Sequence, residues 1–272
     1  MDIGELMAAR KAEFDAYLED YLSRSHTGSG LFEAMAYSLR AGGKRLRPIL
    51  AMFAAEAVGG ERSMALDAGL GIEMIHTFSL IHDDLPAIDD DDLRRGVPTC
   101  HRAYGEAAAI LAGDALVFQA FSVICHAPYP DDVKADLCAE ISRACGMEGL
   151  IEGEYEDIMA EGRDLPLENI VRIYAKKTAR LFELSVYAGA RAARADRKAA
   201  RALCAYGTHL GMAFQAVDDI LDVTSDAGTL GKASGKDARK GKATVVGVLG
   251  LEAARSWADR QTSKALSVLD GV

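Results

Sequence analysis

Alternating apolar and polar residues are scarce in this chain of 272 residues, which excludes an ordinary sandwich or barrel of strands. Cysteine is sparse too: positions 100, 125, 138, 145 and 204 form an odd set without C-x-x-C spacing. That excludes a disulfide frame or a thiolate zinc site and leaves incidental or buried thiols in a reducing compartment. Basic charge is in deficit, with 31 Lys and Arg against 41 Asp and Glu, and a net charge of −10 argues against a general nucleic-acid binder. The start, Met1-Asp2-Ile3-Gly4-Glu5, has neither the basic residues nor the apolar core of a signal peptide. The longest apolar stretches are interrupted by charge or glycine, so no membrane span is expected. There is no internal repeat and no low-complexity linker. The cytoplasm is the expected location.

What is present is helical periodicity over a half-apolar composition. Residues 2–24 space Ile3, Leu6, Met7, Phe14, Tyr17, Leu18 and Leu22 along one face. Ser25 to Gly30 marks a turn, and 31–39 resume the pattern until Gly42-Gly43. Residues 49–58 and 63–85 read as helices split by Gly59-Gly60, and 103–126 as a well-buried helix. Further patterns cover 131–145, 147–161, 167–190, 196–223 and 244–269, the last divided by Gly250. Residues 228–242 form a loop rich in glycine and lysine. The expected product is all-α: a single domain over 1–272, with helices bundled around a deep central cavity.

The chemistry gathers at 76–95. An apolar helical run ends in aspartates at 83, 84 and 89–92, followed by Arg94 and Arg95. Pro86 disfavours the α conformation at Leu85, so the helix should end just after the first two aspartates. Two unit charges ~4 Å apart at an effective dielectric of ~20 interact by about 4 kcal/mol, so carboxylates brought together need a counter-charge. A second cluster, Asp218-Asp219-Ile220-Leu221-Asp222, sits in an otherwise apolar segment; Asp218 and Asp222, four apart, share a helical face. Hard carboxylate oxygens in two groups, with Lys and Arg nearby, suit Mg²⁺ ions bridging to a phosphate-bearing ligand. Gly42-Gly43-Lys44-Arg45-Leu46-Arg47-Pro48 sets three cations beside two glycines. Alone it reads first as a solvated basic turn and second as an anion-binding loop opening the next helix. His76, two turns before Asp83, is by itself an ordinary core histidine.

Taken together and in order, these residues resemble the trans-isoprenyl diphosphate synthases of the polyprenyl synthetase family, and among them bacterial farnesyl diphosphate synthases. The matching blocks are Gly43 to Pro48, Leu80 to Pro86 through Arg94-Arg95-Gly96, Lys177-Thr178, and Phe214-Gln215 through Asp222, with Gly231-Lys232 and Gly241-Lys242-Ala243-Thr244 beyond. The resemblance implies the isoprenoid synthase fold, with both aspartate motifs facing a deep pocket. It also implies Mg²⁺ as cofactor, held by Asp83, Asp84, Asp89, Asp218 and Asp222. Arg94, Lys177, Lys232 and Lys242 would bind the allylic diphosphate, and Lys44, Arg47, His76 and Arg95 isopentenyl diphosphate. Lys177, Thr178 and Gln215 would serve the ionisation step. A homodimer is expected.

Phe78, five residues before Asp83, and Ser79, four before, are the expected chain-length determinants; by resemblance the aromatic residue and the Leu85-Pro86 insertion go with a fifteen-carbon product. The helical wheel places Ser79 nearer the line below Asp83. Three departures stand out: Gly153-Glu154 where relatives carry Gly-Gln, Thr244-Val245-Val246 where they carry Thr-Tyr-Pro, and an end at Val272 where they continue with another helix. Alternative readings are a synthase of the twenty-carbon geranylgeranyl chain, a non-catalytic partner subunit, and a simple cation-binding protein. A terpene cyclase would be expected to have a different second metal motif and no task for Lys44 and Arg47.

Overall fold

The computed structural model describes residues 2–224 and 242–270, and almost everything in them is helical. They gather into two compact units, Met1–Cys138 with Ala188–Ala195, and Ala139–Tyr187 with Asp196–Val272.

In the first unit, α1 (Ile3–Ser25) buries Phe14, Leu18 and Leu22. α2 (Gly30–Arg40) opens on Ser29, whose hydroxyl accepts the Phe32 N–H at 3.1 Å and so satisfies one of the unpaired donors of a first turn. α3 (Leu46–Ala57) carries Pro48 in its first turn, where a missing N–H costs nothing. A 3₁₀ turn (Arg62–Ala65) leads into α4 (Leu66–Asp83), the central element of this unit, with Leu70, Ile72, Met74, Ile75, Phe78 and Ile81 all buried. α4 ends at Asp83 with Asp84 as its cap, as Pro86 requires. The expected 103–126 helix is two helices, α5 (Cys100–Tyr104) and α6 (Glu106–His126), broken at Gly105 with φ +88°. α6 packs along α4, and a Cβ on Gly71 would lie 3.3 Å from the Ala120 carbonyl. Gly189, near the end of α10 (Arg180–Ala192), approaches the Ala51 carbonyl of α3 in the same way, and Arg191 donates to Asp136 of α7 (Asp131–Cys145) at 2.7 Å.

Two expectations need correction here. The residues after the acidic loop form a small antiparallel hairpin, Leu93–Arg94 against Val97–Pro98. Arg95 and Gly96 at its tip both have positive φ (55° and 82°), the backbone of a two-residue type I′ turn. Interruption by charge also does not keep every helix below span length: the stretch Arg62–Asp83 and α6 are both long and apolar enough to cross a membrane by length and composition. The first is mostly buried in the protein, whereas α6 leaves Ile110, Leu111 and Phe118 43%, 56% and 76% exposed. It is therefore not the well-buried helix its composition suggests.

The second unit holds α8 (Leu150–Ala160), α9 (Leu167–Tyr174), α11 (Arg197–Thr224), α12 (Val245–Leu249) and α13 (Leu251–Leu269). Its core joins Ile170, Tyr174, Ala179, Met212, Ala216, Val245, Ala254 and Trp257. The pattern over 167–190 is not one regular helix. Between α9 and α10, Ala175–Ala179 form a π turn. Single π turns mark places where a helix is locally widened to aim side chains, and Lys177 and Thr178 lie in this one.

Candidate active site

Loop 42–48 is organised by Arg45. Its backbone is left-handed (φ 51°), and its guanidinium turns inward to Glu73 on α4 at 2.7 Å, Asp15 on α1 at 2.9 Å and the Leu39 carbonyl at 2.7 Å. Arg45 and Glu73 are both buried. With Arg45 used as the anchor, Lys44 is left exposed and Arg47 half-buried. The hairpin tip closes on the same loop. The Arg95 guanidinium donates to the Gly42 carbonyl and lies where a Cβ on Gly43 would be, 2.5 Å away, so position 43 (φ +114°) admits only glycine.

His76, one turn after Glu73, shares this electrostatic environment. Burial first, then the positive charges of Arg47 and Arg95, hold its imidazole well below the usual histidine range, so it is neutral at neutral pH. Burial likewise brings Arg47 down to about 10, with Glu73 opposing and Arg95 adding to the shift. Arg47 is still charged at neutral pH. The structure therefore brings Lys44, Arg47, His76 and Arg95 to one neighbourhood.

At the end of α4 the chain folds back, with Asp89 N–H on the Asp83 carbonyl at 2.8 Å and Asp91 N–H on that of Asp84 at 3.2 Å. Asp84 is buried and takes both the Nε and Nη2 of Arg94, the Nε at 2.9 Å from Oδ1, and Asp91 stands 3.7 Å from Arg94. Burial opposes the charge of Arg94, but Asp84, with Asp83 and Asp91 adding to it, holds the arginine above its ordinary value. Asp83 and Asp89 are half-buried beside this pair. A small, partly open recess is lined here by Tyr37, Thr77, Leu80, Ile81, Asp84 and Arg94 among others. Phe78 and Ser79 are not in its lining. Phe78 is buried edge-on against His82 (centroids 5.3 Å apart), and the Ser79 hydroxyl is engaged by the His76 carbonyl at 2.9 Å.

In the second unit, the π turn and α11 share a chain of hydrogen bonds. Thr178 Oγ1 donates to Gln215 Oε1 at 2.7 Å, and Gln215 Nε2 donates to Asp219 Oδ1 at 3.0 Å. Asp219 is buried, and its other oxygen accepts from the Tyr174 hydroxyl and from the Val245 N–H at 3.3 Å. The middle aspartate is thus a structural anchor, while Asp218 is exposed and Asp222 half-buried. Two glycines allow this arrangement. A Cβ on Gly153 would lie 2.3 Å from Lys177 N, and one on Gly211 2.5 Å from Ala179 Cα. Lys177 Nζ meets Glu154 at 2.7 Å and Asp157 at 2.6 Å; Asp157 is also 3.9 Å from Lys242. Lys232 lies outside the described residues.

Sequence reading did not single out Arg45, Glu73, Tyr174 or Asp157 as site residues. The isolated glycines at 153 and 211, inside helical patterns, were the available signal for the last two. Among the described residues no three His, Cys, Asp or Glu side chains come together as a ready cation cage. Mg²⁺ is ordinarily held by one or two carboxylates with water and substrate phosphates completing the octahedron, so the aspartates at 83, 84 and 89 in the first unit, and those at 218 and 222 in the second, each suit that ion without a preformed cage.

Helices that end in aspartates, with cations packed among them, define a class once compared with solved structures. The fold matches a crystal structure of an FPP/GFPP synthase from Zymomonas mobilis with a TM-score of 0.85 and 36% identity, covering 98% of this chain and 92% of that one. It matches a geranyltransferase from Helicobacter pylori, complexed with magnesium and isoprenyl diphosphate, with a TM-score of 0.86 and 32% identity over 96% and 89%. The class is the isoprenoid synthase fold. The polyprenyl synthetase profile matches residues 29–268, and the chain belongs to the polyprenyl synthetase family of prenyltransferases. It is 41% identical over 258 residues to the farnesyl diphosphate synthase of Geobacillus stearothermophilus (94% of this chain, 87% of the relative). It is 47% identical over 231 residues to that of Escherichia coli (83% and 77%). It is also 45% identical over 248 residues to a large subunit of a heterodimeric geranylgeranyl pyrophosphate synthase from Arabidopsis thaliana (89% and 67%).

Proposed function

We propose that this protein joins isopentenyl diphosphate to dimethylallyl or geranyl diphosphate and releases farnesyl diphosphate. The observation that carries the reading is the Lys177-Thr178 π turn tied through Gln215 to Asp219. It sets a cation, a hydroxyl oxygen and an amide oxygen beside the second acidic cluster.

The C–O bond of the allylic diphosphate breaks with its electron pair going to the departing pyrophosphate. Lys177, Lys242, Lys232 and Arg94 bind that group, and their attraction grows as its charge grows, which lowers the barrier. Asp83, Asp84, Asp89, Asp218 and Asp222 would hold Mg²⁺, which when bound would supply further positive charge to the diphosphate. Thr178 donates its hydroxyl hydrogen bond to Gln215, so its lone pairs are available to face the allylic cation. Lys44, Arg47, Arg95 and the neutral N–H of His76 hold isopentenyl diphosphate, whose double bond attacks the cation. A proton then leaves the new chain, with released pyrophosphate as the acceptor. We read 1–272 as one prenyltransferase domain, because the family profile runs through both compact units.

The relatives make both fifteen- and twenty-carbon chains, so geranylgeranyl diphosphate is the alternative product. The test is purified protein with Mg²⁺ and labelled isopentenyl diphosphate, with each allylic primer and with EDTA. Farnesyl diphosphate formed only with metal supports the reading; no turnover with any primer favours a non-catalytic partner subunit. The outward apolar residues of α6, Ile110, Leu111 and Phe118, support a second copy of this chain as the partner. A monomer in sedimentation velocity at micromolar concentration would contradict that.

A further inference from the structure

α8 lies in backbone contact with the π turn at Gly153, which brings the next residue, Glu154, beside Lys177. Glu154 Oε2 stands 2.7 Å from Lys177 Nζ, and Asp157 Oδ2 2.6 Å from the same nitrogen. Asp157 reaches Lys242 as well, at 3.9 Å, whereas among the described residues Glu154 pairs with Lys177. The four side chains are only 14% to 23% exposed, so water screens them weakly.

We propose that Glu154 is a positioning residue that weakens the grip of Lys177 on diphosphate, and so sets the affinity for the allylic substrate and the ease with which pyrophosphate leaves. The proposal rests on the placing of Lys177 at the allylic diphosphate in the proposed function. A diphosphate arriving at Lys177 shares that ammonium with two carboxylates and brings its own negative charge beside them. Asp157, bridging both lysines, keeps them in place. Glu154 adds a second negative charge without a second lysine to position, and the repulsion falls on bound substrate and bound pyrophosphate alike.

Glu154→Gln keeps the shape and removes the charge. Inorganic pyrophosphate with Mg²⁺ is titrated calorimetrically into the wild type and this variant, and KM is measured for geranyl and isopentenyl diphosphates. Pyrophosphate should bind about tenfold tighter to the variant and KM for geranyl diphosphate should fall alike, with KM for isopentenyl diphosphate unchanged. Glu156→Gln, which removes a carboxylate facing Arg172 and Lys176 on the same helix, should move neither quantity. Equal or weaker pyrophosphate binding by Glu154→Gln overturns the proposal. A wild type that binds pyrophosphate yet makes no prenyl product defeats the proposed function while the calorimetric comparison still decides the role of Glu154. A wild type that binds no pyrophosphate removes Lys177 from the diphosphate, and this inference with it.

Discussion

The Tyr174 hydroxyl donates to the buried carboxylate of Asp219 while accepting the Val245 N–H at 3.0 Å, so one phenol joins α9, α11 and α12. This splits the second acidic cluster by role. Tyr174→Phe should destabilise the fold by about 1–3 kcal/mol in denaturant unfolding, because it leaves buried polar partners unsatisfied. Asp218→Asn, at an exposed position, should stay within about 0.5 kcal/mol of the wild type. It should nevertheless lose most prenyl transfer. Equal stability losses in the two variants would contradict the division.

Arg45 and Glu73 form a buried ion pair beneath loop 42–48. Arg45→Leu strands the Glu73 charge and should cost about 3–5 kcal/mol. The double variant Arg45→Leu, Glu73→Leu removes both charges and should be more stable than the single one. Denaturant melts of the three proteins check this, and a double variant less stable than Arg45→Leu would argue against the pairing.

His76 gives the fold a pH dependence. Its folded value is depressed below the ordinary 6.5, so the unfolded chain takes up a proton first as pH falls. The contribution is fully present above about pH 6.5 and is lost as pH falls toward the folded value. Replacing His76 with Gln should flatten the decline in stability below pH 6.5. An identical decline in both proteins would mean the imidazole is not held neutral.

Phe78 is buried on α4 against His82. If its ring limits the growing chain, Phe78→Ala should shift products beyond fifteen carbons by mass spectrometry. An unchanged spectrum assigns Phe78 to packing alone.

The helices were legible because apolar spacing reports burial on one face, and α4 ends where Pro86 dictates. What periodicity could not carry were features set by close backbone approach. The π turn at 175–179 depends on Gly153 and Gly211 meeting it from other helices. The type I′ hairpin that aims Arg95 at Gly42 rests on two positive φ angles, one of them at an arginine, where composition gives no hint. Order and resemblance singled out the Lys, Arg and Asp positions. Their division into anchors (Arg45, Asp219) and outward groups (Lys44, Asp218) was not legible, because neighbouring residues of the same charge differ only in which way the backbone turns them.

The central claim is that both acidic clusters serve one ionisation step. The direct measurement is a double-mutant cycle in prenyl-transfer kcat for Asp83→Asn and Asp218→Asn. Residues acting as a unit are strongly non-additive, so each single change should cost nearly as much as the pair. If the losses instead multiply, or if either single variant turns over like the wild type, the two clusters do not act on the same diphosphate.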